Sequence, residues 1–178
     1  MAGVTWTVRP EPVESPDAVA TVRAYIREIA GRYYGRPATE QEVDAALAAE
    51  PDDELVPPKG RFLLARAHAD GAVAGCAAVL MVRGTTAEIR RVWVAPHSRK
   101  GGLGGLLIAT AECSALEMGA TTVRLDTRDD LVEARRLYAR LGYEEIAPFN
   151  DSPYADHWFG KTLRPFLGPL GEGAPAQG

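Results

Sequence analysis

The most constraining stretch of this sequence is residues 88–107. An apolar, β-branched segment, Ile89-Arg90-Arg91-Val92-Trp93-Val94, stops at Ala95-Pro96. A polar loop then leads to Arg99-Lys100-Gly101-Gly102-Leu103-Gly104-Gly105, where a long apolar-periodic segment begins. This is the pattern of a strand, a loop and a helix N-terminus. The first N–H groups of a helix have no partner within it and lie at the positive end of its dipole, and glycines let a large anion approach the backbone. The pattern predicts a site for a phosphate-bearing ligand. Two well-known phosphate cradles do not fit. A P-loop needs G-x-x-x-x-G-K-[ST], and Gly160-Lys161-Thr162 is preceded by Ala155 where the first glycine belongs. A dinucleotide fingerprint needs a third glycine and a tight join to the strand, and Gly102-Leu103-Gly104-Gly105-Leu106-Leu107 has neither.

Arg99-x-x-Gly102-x-Gly104, following Val94-Ala95-Pro96, is similar to the acetyl-CoA signature of the GNAT N-acetyltransferase superfamily. Leu125-Asp126-Thr127, followed by Ala134-Arg135-Arg136-Leu137-Tyr138-Ala139-Arg140-Leu141-Gly142-Tyr143, resembles the second block of the same superfamily. The two blocks stand in the right order and separation, and the resemblance spans residues 79–143. It implies an α/β (α+β) fold, a single domain with a mixed, mostly antiparallel sheet flanked by helices. It also implies acetyl-CoA as co-substrate and an assembly that is commonly a homodimer, although no stretch announces an interface.

The chain has 178 residues, 46% of them hydrophobic, which suits one well-cored domain. We place that domain at residues 1–163 and read 164–178, rich in proline and glycine, as a flexible tail. The formal charge of −4 argues against nucleic acid as a partner, because duplex binding rests on a basic footprint. Arg90, Arg91, Arg99 and Lys100 nevertheless cluster beside the glycine loop. Cys76 and Cys113 lie in apolar patterns and read as reduced core residues. No segment has the length or flanks of a membrane span or a secretory signal, so a cytoplasmic location is expected.

Local signals predict the order β-α-α-β-β-β-α-β-α-β-β. Thr5-Trp6-Thr7-Val8 alternates as a strand. Ser15-Pro16 opens a helix with Val19, Val22, Ile26, Ile29 and Tyr33 inward, and Thr39 with Glu42 forms a capping box for the next. Residues 60–67 and 72–82 read as a hairpin around Asp70-Gly71. The helix at 102–118 carries Leu103, Leu106, Leu107, Thr110, Ala111, Ser114 and Met118 on one face, with Gly119 ending it. A strand at 122–127 follows by a crossover and pairs in parallel. Asp129 or Asp130 caps a helix through Leu141, and strands at 143–147 and 157–162 close the sheet.

Acetyl transfer to an amine requires a held donor, a polarised carbonyl, a base for the amine and an acid for the leaving thiolate. Under the resemblance, the main chain of Lys100, Gly101, Gly102, Leu103, Gly104 and Gly105, with Arg99, grips the diphosphate. Val92, Trp93 and Val94 pair with the cofactor's arm, and a free N–H near Val94 faces the thioester oxygen. Tyr138 stands at the position where superfamily members place a phenol near the sulfur, as general acid, against the alternative of a core aromatic. Glu88 is the candidate base, against an ordinary ion pair with Arg90. Asn150, Tyr154 and His157, in a polar connection before the last strand, are candidates for binding the acceptor, with a solvated loop as the alternative. Three scattered histidines supply no metal site. The activity implied is direct transfer in a ternary complex to a primary amine of a small molecule. A non-catalytic acyl-CoA-binding or regulatory module and a protein lysine or N-terminal acetyltransferase stay open.

Overall fold

A computed structural model describes residues 5–165. The chain runs β1 (Trp6–Pro10), α1 (Pro16–Tyr34), α2 (Glu40–Ala49), β2 (Gly60–Ala67), β3 (Val73–Arg83) and β4 (Thr86–Val94). A 3-10 turn (Pro96–Ser98), α3 (Leu103–Glu117), β5 (Thr122–Thr127), α4 (Val132–Arg140), β6 (Glu144–Glu145) and β7 (His157–Thr162) complete it. The element order is the one the local signals predict. The expected tail lies, beyond Pro165, outside the described residues.

All seven strands form one sheet in the order β1-β2-β3-β4-β5-β7-β6, antiparallel throughout except for β4 beside β5. Alternation along the strands gives each face its own core. On one face, Leu63, Val79, Ile89, Val123 and Leu125 pack under Leu103, Leu107 and Ile108 of α3 and Tyr138 of α4. On the other, Phe62, Leu64, Cys76 and Leu80 meet Val22 and Ile26 of α1 and Val43 of α2.

The helix ends follow the chemistry of their termini. Ser15 Oγ accepts the Ala18 N–H at 3.1 Å with proline inside the first turn, and the Thr39–Glu42 capping box is complete. At α4 the expected cap is absent, because both aspartates are engaged elsewhere. Asp130 receives Arg128 Nε and Nη2 at 2.8 and 2.7 Å, Asp129 receives His157, and the helix starts after Leu131 with no side-chain cap. Four further expectations are corrected. Leu106 is exposed and Ile108 takes its place against the sheet, Cys113 is exposed on the outer side of α3, and both Val19 and Tyr33 of α1 face solvent. The strand expected at 143–147 shortens to two residues.

Two irregularities in β4 prepare the site. First, β4 pairs with β5 only at Thr86, Ala87 and Glu88, against Thr122, Val123 and Arg124, and the strands part beyond that point. Second, Ala78 pairs with Arg90 and Cys76 with Trp93, so Ala77 of β3 faces both Arg91 and Val92, a β-bulge with Arg91 at φ 55°. The extra residue puts Arg90 and Arg91 on the same face, toward α1 and α2. Val92 and Val94 return to the core under α3.

Candidate active site

The loop after β4 is built as the glycines suggest. Arg99 is extended, Lys100 has φ 67°, and Gly102 at φ 86° precedes the first turn of α3. A side chain at Gly102 would be strained by that backbone. At Gly101 a Cβ would lie 2.4 Å from the Trp6 ring, and at Gly104 3.0 Å from Leu137, whereas Gly105 has open space. The first helical hydrogen bond is Leu106 N–H to Gly102 O at 3.2 Å. The main-chain N–H groups of residues 100–105 therefore make no hydrogen bond to a described residue. Arg99 is tied to α1: its Nη2 donates to both oxygens of Glu28 at 2.6 and 2.8 Å, and its Nε to Val94 O at 3.0 Å. Glu28 also accepts the Trp93 indole N–H at 2.8 Å.

Between the loop and the parted strands, the β5-facing main-chain groups of residues 90–94 have no strand beside them. Tyr138 of α4 is 5% exposed, its ring 5.8 Å from Tyr143 and 5.9 Å from Phe159. Its hydroxyl makes no hydrogen bond to a described residue. Burial raises its pKa, and the nearby Tyr25 and Asp126 raise it further, so the phenol keeps its proton. Tyr25 of α1 is itself pushed up to about 12 by burial.

Glu88 is buried at the last paired position of β4. Arg90 Nε reaches its Oε1 at 2.7 Å, and Arg124 Nε and Nη2 reach its Oε2 at 3.2 Å each. The carboxylate expected as a base is thus committed to two guanidinium groups. Asp126, two residues beyond Arg124 on the same face of β5, has a different setting. Its Oδ2 accepts Asn150 Nδ2 at 2.7 Å, and no described lysine, arginine or histidine forms an ion pair with it. Burial, chiefly, and then the Glu88 and Glu50 carboxylates raise its pKa, against the opposing pull of Asn150 and Arg90.

The three acceptor candidates separate. Asn150 meets Asp126 of β5, with its Oδ1 accepting Trp158 Nε1 at 3.0 Å. Tyr154 is 48% exposed and packs edge-on against Tyr33 at 5.4 Å, beside α1. His157 is not brought to the gap: it shares the α4-side face with Phe159 and lies between Asp129 at 3.0 Å and Glu145 at 2.9 Å. Sequence reasoning quoted Asp126 only as part of a block and gave no role to Glu28 or Asp52. The alternation of Arg124 and Asp126 in an otherwise buried strand was the available signal. Among the described residues, no group of three or more His, Cys, Asp or Glu is placed to hold a metal ion, and no helix is long and apolar enough to cross a membrane.

A sheet parted between two parallel strands, with a loop of free amides at its open end, can hold an extended, anionic ligand across the gap. The sequence matches the acetyltransferase (GNAT) family over residues 23–143. An uncharacterized N-acetyltransferase of Schizosaccharomyces pombe is 34% identical over 143 residues, 80% of this chain and 83% of that protein. The PaiA N-acetyltransferase of Thermoplasma acidophilum, solved in complex with coenzyme A, matches with a TM-score of 0.67 at 18% identity, covering 89% of this chain and 99% of that one. A GNAT family acetyltransferase of Elizabethkingia anophelis with acetyl-CoA bound gives 0.61 at 14% identity, over 89% and 98% of the two chains. The chain belongs to the acetyltransferase (GNAT) family.

Proposed function

We propose that this protein transfers an acetyl group from acetyl-CoA directly to a primary amine of a small molecule, with both substrates bound at once. The observation that supports this reading is that the main-chain N–H groups of residues 100–105 make no hydrogen bond to a described residue, beside a β4 that pairs with β5 only as far as Glu88, while the buried Tyr138 hydroxyl has no described partner. That arrangement fits a diphosphate joined to an extended arm and a reactive sulfur. The solved structures with coenzyme A or acetyl-CoA bound support the same ligand. Acetyl-CoA supplies an activated carbonyl and a thiolate leaving group.

The chain's own groups supply the rest. The amides and the dipole of α3 bind the diphosphate, while Arg99 leaves or shares Glu28 to join them. The main-chain groups of Val92 to Val94 pair with the arm, and an N–H near Val94 polarises the carbonyl. Tyr138 gives its proton to the departing sulfur, and burial holds that proton until then. Glu88 is assigned as a positioning residue for Arg90 and Arg124. Asn150 fixes the acceptor side through Asp126, and Tyr154, packed on Tyr33 of α1, is proposed as an outer contact for the acceptor.

The test is thiol release from acetyl-CoA across a panel of primary amines, with coenzyme A affinity measured alongside. Tyr138→Phe should lower kcat by about 10²-fold, the scale of a positioned general acid, with coenzyme A affinity kept. Wild-type turnover in that variant removes Tyr138 from the chemistry. Coenzyme A binding without thiol release from any amine would make the protein a binding module instead.

A further inference from the structure

The face of the sheet toward α1 and α2 presents two unlike charges side by side. Glu88 stands opposite Arg124 on the neighbouring strand and also receives Arg90, so this group of three carries one net positive charge. Both Nη groups of Arg90 and the Nη1 of Arg124 make no hydrogen bond to a described residue. The Arg124 guanidinium lies 4.0 Å over the Phe149 ring, which fixes its plane. Two positions along β5 from Arg124, about 7 Å away on the same face, Asp126 carries one negative charge. Its only described hydrogen-bond partner is the neutral Asn150 amide, itself locked by Trp158. Arg91, beside Arg90 on this face, is spent on Asp52 at 3.0 Å and Glu50 at 3.7 Å. A half-buried carboxylate with no cation beside it is costly unless a ligand supplies one.

We infer that the acceptor is a free α-amino acid, its ammonium received by Asp126 and its carboxylate by the open edges of Arg90 and Arg124. This rests on the proposed acetyl transfer. Two guanidinium edges match a carboxylate in a planar, two-pronged way that a lysine would not. The ammonium and carboxylate of an amino acid are separated by two bonds on one carbon, short enough to sit between the two charged sites. The ammonium cannot attack while protonated, and Asp126 Oδ1 takes its first proton, passing it to solvent. The nitrogen then bonds to the carbonyl carbon as the carbon–sulfur bond breaks. Tyr138 gives its proton to the departing sulfur, and the second proton lost by nitrogen passes through solvent to restore the Tyr138 phenol. The groups facing Asp126 are Tyr25 from α1, Glu50 from the α2–β2 connection, Glu88 and Arg90 from β4, Tyr138 from α4 and Asn150; burial first, then Glu88 and Glu50, raise its pKa above the ordinary range against Asn150 and Arg90. That suits a group that must accept a proton.

The test measures thiol release with free L-amino acids, each beside its α-carboxamide and its decarboxylated amine, on wild type, Asp126→Asn and Arg124→Gln. For the preferred side chain, kcat/KM should be about 10²-fold higher for the amino acid than for its carboxamide or amine, the scale of a paired carboxylate. Arg124→Gln should erase most of that ratio. Asp126→Asn should lower kcat/KM at least about 10²-fold on every acceptor and remove the acidic limb of its pH profile, with coenzyme A affinity unchanged. Amines or carboxamides that match or exceed amino acids overturn the inference and leave acetyl transfer standing. So does wild-type kcat/KM in a folded Asp126→Asn. No thiol release with any amine overturns acetyl transfer, and this inference with it.

Discussion

Glu88, buried, and Asp126, half-buried, are carboxylates on one face with opposite surroundings, and their stability effects should differ in sign. Glu88 is held by two arginines, and removing it would strand both charges beside the core. Asp126 has its pKa raised, so its charged form is disfavoured in the folded protein. Whatever stability its neutral form confers is present below the unfolded carboxyl range, near pH 4, and is lost as pH rises through the folded value. Asp126→Asn should therefore leave Tm unchanged or raise it at about pH 7, and that advantage should shrink as pH falls toward about 4. A residue that lowers stability while serving activity is the usual cost of a site. Melts of both proteins across that range check the sign. From sequence, Glu88 stood out as a candidate because it lies eleven positions before Arg99 on the same strand-loop unit. Its partners were not legible, since Arg124 meets it only through pairing of β4 with β5, 36 residues apart. Asp126 was passed over for the same reason: what distinguishes it is a missing cation, and absence of a partner is a property of three dimensions.

The elements themselves were read closely where local chemistry decides them. Thr39 with Glu42, Ser15 with Pro16, and the strands at 60–67, 122–127 and 157–162 gave boundaries that the structure repeats. Thr39→Ala should cost about 1 kcal/mol, a Tm loss of roughly 2–4 °C for a domain of this size. The failures came where tertiary partners outbid local ones. Asp129 and Asp130 look like caps for α4 but bind His157 and Arg128, and Arg128 also reaches Ile29 O on α1 at 2.9 Å. The phosphate loop has a similar tie, since Glu28 of α1 holds Arg99 and Trp93 together. Glu28→Gln keeps an acceptor for the indole and frees the guanidinium. It should tighten coenzyme A binding by up to about fivefold, the scale of one half-exposed ion pair. Weaker binding, measured by calorimetry, would show that Glu28 orders the loop more than it competes for Arg99.

At the scale of the whole molecule, the decisive feature is the parting of β4 from β5, and no sequence pattern encodes it. Parallel pairing was predictable from the crossover, but its end after Glu88, shortly before the bulge at Arg91, follows from no local pattern. The far edge is fastened by His157, which joins β7 to Glu145 of β6 and to Asp129 before α4, with Arg135 alongside. The Asp129 hydrogen bond first, and Glu145 next, raise the His157 pKa. Its contribution is fully present below the unfolded value of about 6.5 and is lost as pH rises through the folded one. Wild-type Tm should fall between about pH 6 and 8 by more than that of His157→Gln. The account's central claim is that the amides of residues 100–105 are donors waiting for a diphosphate. Amide hydrogen exchange with and without coenzyme A tests it most directly. We predict exchange at residues 100–105 slowed at least about tenfold by saturating coenzyme A, together with residues 92–94 of β4. Bound ligand with unchanged exchange at those amides would contradict it.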